Sequence, residues 1–83
     1  MPTLAIIDGI RILMYFNDHA PPHFHVEERE TMGVFEIASG RMVRGDLGRR
    51  SRGKVERWIV QHRAELMMAW NGRQSGAFPK IAK

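Results

Sequence analysis

The 83-residue sequence contains no cysteine, which excludes disulfide staples, thiolate zinc fingers and cysteine nucleophiles together. It has no apolar run approaching the roughly eighteen residues that a membrane span needs, so no membrane partner is expected. Its Met1-Pro2-Thr3 opening shows no basic stretch followed by an apolar core. No signal peptide is readable, and a cytoplasmic protein is expected. The chain also lacks internal repeats, the Walker pattern and the dinucleotide fingerprint, so a nucleotide cofactor is not expected. Neither helix-turn-helix spacing nor an RNA-recognition aromatic motif is visible. What remains is one small domain whose 43% hydrophobic and 27% charged residues are those of an ordinary globule. At this length only about two-thirds of the unfolded surface can be buried, so the core is thin.

Charge is divided unevenly along the chain. Residues 1–40 carry two basic and six acidic side chains, whereas residues 41–83 carry eleven basic and three acidic ones. Such a split presents a basic face suited to a polyanion or an acidic protein partner. Ten of the thirteen basic residues are arginine, whose planar fork matches phosphate and carboxylate oxygens. The densest stretch is Arg41, Arg44, Arg49, Arg50, Arg52, Lys54 and Arg57. The glycines among them would let backbone approach a phosphate closely. These seven are the candidate nucleic-acid-binding residues, the alternative being a solvated basic face.

The expected fold is α+β, an antiparallel meander of about five strands with one long C-terminal helix packed on a face. Thr3–Ile7 and Ile10–Phe16 flank Asp8-Gly9, a strong hairpin signal because a type I′ turn needs positive φ at both central residues. Asn17 to Pro22 then breaks the ladder. Alternation predicts a third strand over His23–Glu28, with short strands at Val34–Ile37 and Met42–Arg44. Val55, Ile59, His62, Leu66 and Trp70 recur at helical spacing, with Ser51 as N-cap and Asn71-Gly72 as the stop. Residues 1–72 form the domain, and 73–83 form an arm that Phe78 and Ile81 tack down. Trp58 and Trp70 are expected as core anchors, and His62 as a core histidine unless it packs near the other histidines.

Three of the four histidines, His19, His23 and His25, fall within seven residues. On a strand His23, His25 and Glu27 share one face while Phe24 and Val26 take the other. His19 can fold back across the two-proline turn, and Tyr15 and Asn17 lie beside the row. Imidazole exchanges protons near neutrality, so His19, His23 and His25 are candidate acid/base residues. His23, His25 and Glu27 are candidate ligands for zinc or another transition metal. In the plain structural alternative, Asp18 and His19 close the turn and His23 bonds a neighbouring strand. On the helix, Val60, Ala64, Met67 and Met68 form a second apolar face, which predicts a homodimer or a helical partner.

The string Asn17-Asp18-His19-Ala20-Pro21-Pro22-His23-Phe24-His25, preceded by Met14-Tyr15, resembles a small prokaryotic family, the domain of unknown function 4160. Phe35-Glu36-Ile37, Gly45-Asp46-Leu47 and Trp58, His62-Arg63, Glu65-Leu66 and Trp70 are similar to its later landmarks. Gly48 stands where relatives often have proline, and beyond Asn71 the likeness is loose. The resemblance implies a compact protein found near toxin–antitoxin pairs and assigns no role to any residue. The expected function is a nucleic-acid-binding module in a toxin–antitoxin or regulatory context; the alternatives are a metal-independent ribonuclease working through His19, His23 and His25, and a non-enzymatic interaction or metal-binding domain.

Overall fold

In the computed structural model, residues 3–76 and 78–81 are described. Five strands, β1 (Thr3–Ile7), β2 (Ile10–Leu13), β3 (His23–Glu28), β4 (Thr31–Glu36) and β5 (Arg41–Gly45), precede helix α1 (Arg49–Gly72) and a short 3₁₀ turn, Arg73–Ser75. The strands form one antiparallel sheet in chain order, β1-β2-β3-β4-β5. This is the α+β meander and single long helix that the patterning indicates. Asp8 and Gly9 both take positive φ, 49° and 82°, as a tight hairpin turn requires. Among the described residues, no helix is long and apolar enough to cross a membrane.

Alternation on β3 decides the layering. Phe24 and Val26 are fully buried, and together with Ile12, Phe35 and Ile37 they pack beneath Val55, Trp58, Ile59 and Leu66 of α1. Phe24 stacks on Phe35 at 5.7 Å between ring centroids and meets Trp58 edge-on at 6.3 Å. Each such side chain contributes about 1.5–3 kcal/mol by leaving water. α1 covers one face, and the opposite side is only partly covered, with Leu13 buried on it beside His25. That side carries His23, His25 and Glu27. Ile81 donates its backbone N–H to the Leu4 carbonyl at 2.7 Å, and its side chain is buried; Phe78 packs against the same core.

Several boundaries differ from the sequence reading. β2 stops at Leu13 rather than Phe16, because the chain turns at Tyr15, whose carbonyl accepts from the Asp18 amide. β4 begins at Thr31, three residues early, because Arg29 and Glu30 alone connect it to β3, with Arg29 at φ 55°. Neither residue is a turn former by type, so composition gives no signal there. The helix opens at Arg49 with Gly48 as its N-cap and no side-chain cap bond. Ser51 instead donates to Glu28 Oε1 at 2.6 Å. His62 leaves helical geometry (φ −125°, ψ 17°) and kinks α1.

Gly45 shows how tightly β5 is seated. Its φ is +113°, and a Cβ there would stand 2.3 Å from the Met32 carbonyl oxygen and 2.6 Å from Gly33 Cα. Backbone atoms cannot yield as a flexible side chain can. Gly45→Ala should therefore lower unfolding stability by about 2 kcal/mol or more in urea melts. A stability within experimental error of the parent would contradict this packing.

Candidate functional site

Asp18 brings the histidines of β3 to one point. The turn from Tyr15 into Pro22 folds over the start of β3, and the Ala20–Pro21 peptide in it is cis. Asp18 Oδ2 lies 3.3 Å from His23 Nε2 and 3.1 Å from His25 Nε2. His23 Nδ1–H donates to the Pro21 carbonyl at 2.8 Å; a carbonyl can only accept, so Nδ1 holds the proton and Nε2 is the atom facing Asp18. Tyr15 stands edge-on to His25 at 4.7 Å, and Trp70, at the far end of α1, lies 5.2 Å from the His23 ring. Arg73 spans the gap between helix and turn. Its Nη2 donates to the Asp18 carbonyl at 3.0 Å, its Nη1 to the Trp70 carbonyl at 2.8 Å, and its guanidinium sits 3.6 Å above the Trp70 ring.

Asp18, His23 and His25 line a cavity of about 350 Å³ whose walls also include His19, Glu36 and Arg44. It therefore unites the histidine row with one arginine of the basic segment. The carboxylate that joins His23 and His25 is Asp18 and not the expected Glu27. Glu27 instead faces Arg11 across the β2–β3 pair at 3.5 Å. His19 lines the cavity without joining the point where the other three converge. His62 is not among the converging ligands: its Nδ1 pairs with Glu65 Oε1 at 2.6 Å, its ring lies 4.8 Å from the core residue Trp58, and its side chain is 12% exposed.

The basic residues fall in three places. Arg41 and Arg44 are exposed on β5, an edge strand; Arg49, Arg50 and Arg52 form the first turn of α1; Lys54 is paired with Asp8 at 3.3 Å, and Arg57 lines a groove beside it. Arg41, Arg44, Arg49, Arg50 and Arg57 form no ion pair with any described residue. Of the second helix face, Val60, Ala64 and Met68 are exposed, but Met67 packs against the core. Three positions before Trp70, Met67 lies at the edge of the buried stripe rather than opposite it.

Asp18, Arg73 and Trp70 are the site residues that spacing alone does not identify, while Arg44, a candidate for the basic segment, is found beside the histidines. Asp18 stands seven positions from His25 across a turn, and no periodicity links them; its place before two prolines is the only cue. Trp70 and Arg73 reach the site from the opposite end of the chain.

Tyr15 has a raised pKa, above its ordinary value of 10.0, because burial disfavours the phenolate and the Glu27 and Asp18 carboxylates oppose it more than Arg11 favours it. The folded chain thus holds this proton more tightly than the unfolded chain. Stability is unchanged by this group below about pH 10 and declines as pH rises beyond it. The chain has one tyrosine, so phenolate absorbance reports it alone. Asp18→Asn should move the midpoint part of the way back to the ordinary value. A midpoint that does not move would remove Asp18 from the vicinity of Tyr15.

A family model described as "Domain of unknown function (DUF4160)" matches residues 9–71, a span that contains the whole cluster except Arg73. No curated protein and no solved structure matches the chain.

Proposed function

The chain belongs to the DUF4160 family, whose description leaves function open, and we propose that it is a nucleic-acid-binding module, acting in a regulatory or toxin–antitoxin setting. One observation carries this reading. The first turn of α1 holds Arg49, Arg50 and Arg52, contains no acidic residue, and has no side-chain cap. A helix start bears the positive end of the macrodipole, so acidic residues stabilise it and cations oppose it, by about 0.3–1 kcal/mol each. One carboxylate, Glu28, reaches this end from β3 and is bonded to Ser51. Three arginines placed against the dipole and beside uncapped N–H groups suit a phosphate better than they suit the isolated fold. Arg41 and Arg44 lie apart from this turn, exposed on β5, where Arg44 lines the histidine cavity.

Binding is favoured over cleavage. A ribonuclease needs one imidazole to take a 2′-hydroxyl proton and a second group to protonate the leaving oxygen. His23 and His25 both direct Nε2 at the same oxygen of Asp18, which leaves neither Nε2 turned toward a substrate.

Anisotropy titrations of labelled RNA and DNA oligonucleotides over a range of salt test the proposal. Affinity should fall steeply with salt, and replacing Arg49, Arg50 and Arg52 together by Ala should flatten the log–log slope by about 2–3. Arg49→Glu with Arg50→Glu should separate stability from binding, raising Tm by several degrees while abolishing the complex. Salt-insensitive binding, or a triple variant that binds like the parent, would count against this surface.

A further inference from the structure

We propose that Asp18, His23 and His25 form a three-ligand site for a divalent transition-metal ion, zinc being the ion this donor set suits best. Their three ligand atoms all lie within 4.8 Å of one another. In a tetrahedral zinc site with bonds of about 2.0–2.1 Å, neighbouring ligand atoms stand about 3.3 Å apart. The two separations at Asp18 Oδ2, 3.3 Å to His23 and 3.1 Å to His25, are the edges of such a tetrahedron. Two imidazole nitrogens and one carboxylate oxygen match zinc and its neighbours, while calcium takes six to eight oxygens and magnesium keeps an octahedral oxygen shell.

The surroundings prepare the ligands. His23 Nδ1–H is held by the Pro21 carbonyl, the outer-shell bond that commonly fixes the tautomer of a metal-bound histidine and raises its basicity. Neutral His23 therefore aims a lone pair at a carboxylate oxygen. That contact is repulsive unless a proton or a cation lies between the two atoms. Tyr15 and Trp70 brace the two rings, and Arg73 holds the Asp18 backbone through its carbonyl, leaving the carboxylate free to ligate. Side-chain exposures of 18%, 20% and 21% for His23, His25 and Asp18 leave a path from solvent. Three protein ligands leave at least one coordination position open. The cavity around it holds Arg44, so an anionic oxygen on the metal would meet a guanidinium.

The test is zinc titration of the chelator-stripped chain in competition with a chromogenic chelator, with no nucleic acid present, so it stands apart from the binding reading above. One zinc per chain is expected. Asp18→Asn, His23→Ala and His25→Ala should each weaken binding by at least roughly tenfold, a loss seen even for outer-shell partners. His19→Ala and His62→Ala should bind like the parent, and cobalt(II) in the parent should show the intense visible bands of four-coordinate geometry. The Asn substitution keeps the Asp18 carbonyl that Arg73 bonds, and His23→Gln with His25→Gln serves if the alanine variants do not fold. A parent that binds zinc no more tightly than a double His23/His25 variant overturns the proposal, as does a loss in His19→Ala equal to that in His23→Ala.

Discussion

The register of β3 is the constraint on which the fold and the site both depend. Phe24 and Val26 are committed to the core by their contacts with Phe35 and with α1, which leaves His23 and His25 on the opposite side. A slip of one residue would drive both imidazoles under the helix and set Phe24 and Val26 in water. Burying unpaired imidazoles and exposing two core side chains would each cost several kcal/mol. Pairing then transmits the register outward: His25 lies opposite Val34, and Val34 opposite Arg44. The same core contacts that stabilise the sheet therefore place an arginine of the edge strand in the histidine cavity.

The two halves of the chain divide the work by charge. The acidic first half supplies Asp18, Glu27 and Glu36 to the face around the histidines. The basic second half supplies the edge strand and the start of α1. That helix start lacks both a side-chain cap and first-turn acids, two devices that ordinarily stabilise a helix. Inside the fold one carboxylate, Glu28 bonded to Ser51, offsets this end; the proposed phosphate ligand would supply the remaining negative charge.

Much of the architecture is legible in the sequence because its signals are local. Asp8-Gly9 makes its turn by backbone conformation alone, β3 shows strict alternation, and α1 carries an apolar stripe from Val55 to Trp70. The less legible features depend on contacts made at a distance. Arg29 and Glu30 form a tight connection because strands on both sides pair, not because of their residue types. Ser51 is drawn to Glu28, twenty-three positions away, rather than to its own helix end. The kink at His62 is announced by no residue type, and Met67, at the edge of the buried stripe, is packed by contacts that its position alone does not reveal. In the site, the adjacent histidines are visible from strand periodicity, but their carboxylate is not. Glu27 continues the periodic row and is taken by Arg11, whereas Asp18 arrives from a turn whose path the prolines and Arg73 set.

Asp18 gathers His23 and His25 through their Nε2 atoms while the Pro21 carbonyl holds the Nδ1 proton of His23. Long-range nitrogen–proton NMR of the imidazole rings reads this directly. His23 is expected to keep its proton on Nδ1, and zinc to perturb the Nε2 resonances of His23 and His25 while those of His19 and His62 stay in place. A neutral His23 with its proton on Nε2 and none on Nδ1, or a zinc response centred on His19 or His62, would contradict it.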